Sequence, residues 1–135
     1  MRKPLNILML EDDDVDARQL CRALNVLPAQ IYDIIRLKNG QEGLDWLDKH
    51  PEETKRPWII LLDLKMPLMG GREFLQRLRE NNMHDKHFIV VLSTSDHPDD
   101  KHFATQMRVD AYYNKSILQE NPARFMQDVL KLGTA

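Results

Sequence analysis

Apolar and polar positions along the chain fall into alternating blocks. Ile7 to Leu10 is a short apolar run that breaks into Glu11-Asp12-Asp13-Asp14, after which Ala17, Leu20, Cys21, Leu24 and Leu27 recur at helical spacing. This predicts a strand, an acidic turn and a helix closed by Pro28. Tyr32 to Leu37 predicts a second strand, polar enough for a sheet edge. Asn39-Gly-Gln-Glu42 resembles a capping box before a helix that carries Leu44 and Leu47 and ends at Pro51. Trp58 to Leu62 is wholly apolar and runs into Asp63, where Pro67, Gly70 and Gly71 stop it. Phe74, Leu75 and Leu78 then mark a third helix that finishes near Asn81-Asn82.

The same alternation continues to the end. Phe88 to Leu92 is a fourth apolar strand ending in Ser93-Thr94-Ser95, and Pro98-Asp-Asp opens a helix with Phe103, Ala104 and Met107. Ala111-Tyr-Tyr-Asn predicts a fifth strand that ends at Lys115. Asn121-Pro122 reads as N-cap and first position of a last helix, with Phe125, Met126, Val129 and Leu130 on its apolar face and Gly133 as its stop. Strands apolar on both faces, each followed by an amphipathic helix, predict a parallel sheet covered on both sides, because right-handed crossovers place helices over each face. The fold class is α/β.

Composition narrows the function. At 135 residues and 15.9 kDa with 42% hydrophobic residues, the chain is sized for one globular domain, and no output domain is expected beside it. A net charge of -2 and a sequence pI near 6.2, with scattered basic residues, disfavour nucleic acid as a partner. No signal peptide or membrane-length run is visible, so a soluble cytoplasmic protein with no membrane partner is expected. No dinucleotide or nucleoside-triphosphate glycine loop follows any strand.

Ligands of open parallel sheets bind outside the carboxyl ends of the strands. Those ends carry Glu11-Asp12-Asp13, Asp63, Ser93-Thr94 and Lys115. Two like charges 4 Å apart repel by about 4 kcal/mol at an effective dielectric of 20. Three carboxylates brought together would therefore hold protons or a cation. Oxygen ligands suit Mg²⁺ or Mn²⁺, and a divalent metal beside a free carboxylate and a lysine describes phosphoryl transfer to an aspartate.

Read together, Ile7-Leu-Met-Leu-Glu11-Asp12-Asp13, Leu61-Leu-Asp63-Leu-Lys-Met-Pro67-Leu-Met-Gly70, Val90-Val-Leu-Ser93-Thr94 and Ala111-Tyr112-Tyr-Asn-Lys115 resemble the receiver domain of two-component response regulators. The resemblance spans residues 6 to 132 or so. Ser-Thr-Ser-Asp after the fourth strand is similar to small stand-alone receivers that work with phytochrome-type kinases. The resemblance implies a flavodoxin-like, doubly wound (βα)5 fold with strand order 2-1-3-4-5. It implies Asp63 as phosphoacceptor, with Glu11, Asp12, Asp63 and the backbone carbonyl of Lys65 around Mg²⁺ or Mn²⁺. Ser93 and Thr94 would bind the phosphoryl group, Lys115 would pair with it as the catalytic cation, and Tyr112 would be the aromatic switch. The partners implied are a bacterial histidine kinase or phosphotransfer protein and an unnamed downstream protein. Readout would use the fourth helix, fifth strand and fifth helix, about residues 98 to 132, as a monomer or a weak homodimer.

Two positions stand apart from the family pattern. Proline normally follows the lysine across a cis peptide, and here Ser116 follows Lys115; a cis bond at a non-proline residue costs about 3–4 kcal/mol, so either the loop imposes it or the bond is trans. Lys65 lies two residues past the acceptor, where its side chain would slow hydrolysis. An unchanged dephosphorylation half-life in Lys65→Asn would remove that idea.

Other residues have plainer readings. Cys21, Trp46 and Trp58 are packing residues, and one of Tyr112 and Tyr113 faces inward while the other faces outward. Glu52-Glu-Thr-Lys-Arg56 is a solvated loop, and His50, His84, His87, His97 and His102 are solvated surface residues. Three functions follow in order: a signalling receiver whose chemistry is confined to its own phosphorylation and dephosphorylation, a degenerate receiver that only binds partners, and an aspartate-based phosphohydrolase. The last fits poorly, because Asp63 lies on the third strand and not in an Asp-x-Asp on the first.

Overall fold

The computed structural model describes residues 5–26, 31–80 and 84–133. Strands β1 (Leu5–Leu10), β2 (Ile31–Leu37), β3 (Ile59–Leu62), β4 (Phe88–Ser93) and β5 (Ala111–Asn114) alternate with helices α1 (Asp14–Leu24), α2 (Gly40–Lys49), α3 (Gly71–Glu80) and α4 (Pro98–Gln106), and α5 (Ile117–Glu120) and α6 (Pro122–Gly133) follow β5. All strand pairs are parallel, in the order β2-β1-β3-β4-β5. This is the flavodoxin-like receiver topology expected, with the polar second strand at an edge.

Side chains alternate across the pleat, so each strand feeds two separate cores. Ile7, Met9, Leu61, Val90 and Leu92 pack beneath α1 and α6, against Leu20, Leu24, Phe125, Met126 and Val129. Leu8, Leu10, Ile60, Leu62, Ile89 and Val91 pack against Leu47, Phe74, Leu75, Leu78 and Phe103 from α2, α3 and α4. Cys21 lies partly buried against the first core, as its spacing predicted. Among the described residues no helix is long and apolar enough to cross a membrane.

Helix starts follow local chemistry. Asp13 caps α1 by accepting from the Asp16 N–H at 2.9 Å. Asn39 caps α2 through Glu42, whose carboxylate reaches back to the Lys38 N–H at 3.3 Å and to Asn39 Nδ2 at 3.2 Å, a variant of the capping box. Asn121 Oδ1 accepts from the Arg124 N–H at 3.2 Å at the start of α6. Pro28 and Asn81-Asn82, read as helix ends, lie outside the described residues.

Several expectations are corrected. Two helices follow the fifth strand where one was expected, since α5 forms a single turn with Leu118 buried before α6 begins. Trp58 is buried but precedes β3. The charged loop folds into a 3-10 turn at Glu53–Lys55 that buries Thr54, whose hydroxyl donates to the His50 carbonyl at 2.8 Å. Tyr112 and Tyr113 do take opposite faces, yet both are half-buried, one against each core. The Tyr113 hydroxyl is taken up by Asp128.

The histidines also divide. His97 and His102 are exposed, whereas His84 and His87 are buried with their rings stacked at 5.8 Å between centroids. His84 Nε2 lies 3.2 Å from Asp48 Oδ1, and His87 Nδ1 accepts from the Trp58 N–H at 2.9 Å. His50 is half-buried and stacks on Trp46 at 4.5 Å.

Candidate functional site

Strand register brings the candidate residues to one edge. Leu10 pairs with Leu62, and Leu62 with Val91, so Glu11, Asp63 and the end of β4 leave the sheet side by side. The pairing persists one residue beyond the strands: the Asp63 N–H donates to Leu10 O at 3.1 Å and the Glu11 N–H to Leu37 O at 2.9 Å. Both carboxylates are thus carried on backbone that is hydrogen-bonded into the sheet. Gly71 is required by this arrangement, because a Cβ there would stand 2.5 Å from Asp63 O and 2.7 Å from Leu64 Cα.

The acidic run after β1 is split between two jobs. Asp13 is the helix cap, while Glu11 and Asp12 turn toward Asp63, and one oxygen from each of the three lies within 4.8 Å of the others. Glu11 and Asp63 are buried and Asp12 is half-buried. The donor set is carboxylate oxygen alone, without thiolate or imidazole, which fits a hard divalent cation such as Mg²⁺ or Mn²⁺.

Lys115 reaches the centre of the cluster. Its Nζ lies 2.6 Å from Glu11 Oε1, 2.7 Å from Asp16 Oδ2 and 3.2 Å from Asp63 Oδ2. The loop that carries it has no cis peptide; the Lys115 N–H donates to Ser93 O at 2.9 Å, and the Ser116 N–H to Asn114 Oδ1 at 2.9 Å. Ser116 in place of proline therefore does not keep the ammonium from the site. Burial pulls the Lys115 pKa down, but its hydrogen bonds to Asp16 and Glu11 and the charge of Asp63 outweigh it and hold the group above the ordinary lysine value. Burial pushes the Glu11 carboxyl up to about 7, with Asp63 adding to the rise and the Lys115 hydrogen bond opposing it.

The remaining expected residues take distinct positions. Ser93 is fully buried at the end of β4, where its hydroxyl oxygen accepts from the Ser95 N–H at 3.1 Å, and Thr94 is exposed. The Lys65 side chain is exposed, and its backbone N–H donates to Asp63 Oδ1 at 3.1 Å. Tyr112 donates its hydroxyl proton to Ser95 O at 2.8 Å.

Two residues of the site carried no sequence signal. Asp16 looks like any acid in the first turn of a helix, where the dipole favours it, yet its carboxylate binds Lys115. Arg36, on edge strand β2, donates from Nε to Glu11 O at 3.0 Å, from Nη2 to Asp12 O at 3.2 Å and from Nη1 to Asp14 Oδ1 at 2.7 Å. One planar guanidinium thus grips the main chain of both acids that face Asp63.

Residues 7–127 match the response regulator receiver domain. The response regulator Rcp1 of Synechocystis sp. is 30% identical over 131 residues, which span 96% of this chain and 84% of Rcp1. The crystal structure of the phosphorylated cyanobacterial phytochrome response regulator RcpA is similar with a TM-score of 0.74 and 28% identity, over 95% of this chain and 89% of that one. The Mn(2+)-bound form of Rcp1 gives a TM-score of 0.70 at 29% identity, over 97% and 90% of the two chains. With its parallel sheet in the order β2-β1-β3-β4-β5 and its acids at the carboxyl edge, the chain belongs to the response regulator receiver domain family.

Proposed function

We propose that this receiver takes a phosphoryl group from a histidine kinase or phosphotransfer protein onto Asp63. The observation that carries the reading is the buried Asp63 carboxylate, grouped with Glu11 and Asp12 and 3.2 Å from the Lys115 ammonium. One Asp63 oxygen attacks phosphorus as the P–N bond of the donor phosphohistidine breaks. The departing imidazole keeps the electron pair and takes up a proton. Lys115 neutralises charge on the phosphoryl oxygens, and the Ser93 hydroxyl would donate a hydrogen bond to one of them. Glu11, Asp12, Asp63 and the Lys65 carbonyl are the groups that would hold Mg²⁺ or Mn²⁺, whose charge offsets that of the phosphoryl group.

The output is a change of surface. When Ser93 moves toward a phosphoryl group, Tyr112 gives up its bond to Ser95 and turns inward, altering the face made by α4, β5 and α6. A groove between β5 and α6, lined by Val90, Ala111, Tyr113, Asp128, Val129 and Leu132, gives that face relief for a protein partner or a second copy. The likeness to Rcp1 and to a phytochrome response regulator supports a phytochrome-type kinase as the phosphoryl donor.

Incubation with Mg²⁺ and acetyl phosphate followed by intact-mass measurement tests the reading. The expected result is one phosphoryl adduct that needs the metal and disappears in Asp63→Asn. Absence of the adduct in the unaltered protein, or its persistence in Asp63→Asn, overturns the assignment.

A further inference from the structure

Lys115 has three N–H donors, and three carboxylates occupy them. Two of these, Glu11 and Asp63, belong to the acid group that faces the cation and the phosphoryl donor. The third is Asp16, which comes from the first turn of α1, 99 residues away in sequence, and lies outside that group. Its side chain is 32% exposed, so it stands at the rim while Lys115 points inward. Once Glu11 and Asp63 are engaged elsewhere, Asp16 is the carboxylate left to the ammonium.

We propose that Asp16 is a positioning residue acting through Lys115: it anchors the ammonium on the α1 side of the cleft and partly neutralises it, so that an anion at Asp63 meets a weakened positive charge. The proposal rests on the reading of Asp63 as phosphoacceptor. A carboxylate in direct contact with Nζ competes with any phosphoryl oxygen for the same protons, and one more negative charge beside the cluster favours a cation there as it disfavours an anion. Asp16 thereby sets how strongly the site responds to a phosphoryl group, without touching that group itself.

Asp16→Asn removes the charge and keeps an oxygen acceptor of the same shape, and titration calorimetry reads the result. In saturating Mg²⁺, affinity for beryllofluoride, an anion of phosphoryl size, rises by about fivefold in Asp16→Asn, and Mg²⁺ affinity measured alone falls by a similar factor. In a Lys115→Met background the same substitution raises beryllofluoride affinity by a clearly smaller factor, because the part of the effect that passes through the ammonium is gone and only the through-space charge remains. Unchanged or weakened anion binding in Asp16→Asn overturns the proposal, as does an equal gain in both backgrounds. Circular dichroism of each variant confirms that a folded protein is compared. If the unaltered protein binds no beryllofluoride through Asp63, the reading of the acceptor fails instead, and the two failures are told apart by that control.

Discussion

The Trp58 N–H donates to His87 Nδ1 at 2.9 Å, so a buried imidazole ties the start of β3 to the residue before β4. Nδ1 must be an acceptor in this bond, which places the proton of the neutral ring on Nε2. Burial lowers the His87 pKa to about 4 from its ordinary 6.5, helped by the charges of Lys86 and His84. A histidine whose folded value is depressed stabilises the fold as the neutral ring, fully above the unfolded value, and loses that contribution as pH falls from about 6.5 toward about 4. Urea denaturation at pH 7 and pH 5 will show the unaltered protein losing about 2 kcal/mol relative to His87→Asn, whose side-chain oxygen can still accept from Trp58, because every other titrating group cancels in that comparison.

Glu11 works in the opposite sense. Its carboxyl is raised by burial to about 7, so ionisation at neutral pH costs folding free energy, and protonation returns it as pH falls toward the unfolded value of 4.5. In metal-free buffer at pH 8, Glu11→Gln will be more stable than the unaltered protein by an amount on the order of 1–3 kcal/mol, and will melt higher accordingly. The same variant will lose most of the stabilisation that added Mg²⁺ gives, because one of the three acids is gone. Thermal melts with and without Mg²⁺ or a chelator read both effects.

Gly71 has no room for a side chain, since the atoms within 2.7 Å of a new Cβ are backbone of Asp63 and Leu64. Gly71→Ala will destabilise the protein by about 1–3 kcal/mol. It will also weaken Mg²⁺ binding, as the strain is relieved by moving the residue that carries the central carboxylate. Denaturation curves and metal titration on the same sample check the pair of effects.

Leu68 adopts φ 63 and is 91% exposed, a combination with steric cost and little burial in return. A left-handed non-glycine residue costs roughly 1–2 kcal/mol, and the entropy of a new glycine takes back about half of that. Leu68→Gly will therefore stabilise the protein by about 0.5–1 kcal/mol in urea denaturation. Arg108 shares the left-handed conformation at φ 58, but its carbonyl accepts from Arg79 Nη2 at 3.2 Å at the end of α4, so Arg108 has a structural tie that Leu68 lacks.

The fold and the central residues were legible for a common physical reason. Strands buried on both faces are written as unbroken apolar runs, and Glu11, Asp12, Asp63, Ser93 and Lys115 stand at the points where those runs stop. Asp16 and Arg36 were not legible, because an acid in a first helical turn and an arginine in an edge strand are ordinary in themselves. Their roles come from contacts between distant elements. The burial of His84 and His87 was hidden likewise: Asp85 and Lys86 between them suggest solvent, whereas Trp58 and Asp48 come from elsewhere in the chain to meet the rings. The single turn of α5 is too short to show a period.

The guanidinium of Arg36 has a consequence at a distance from the cleft. Because it belongs to an outermost strand and grips the Glu11 and Asp12 carbonyls, local opening of that strand and loosening of the acidic turn are one event rather than two. Whatever stills the turn must therefore slow amide hydrogen exchange along β2, and a frayed sheet margin would in turn be felt as poorer order in the acids, by reciprocal linkage.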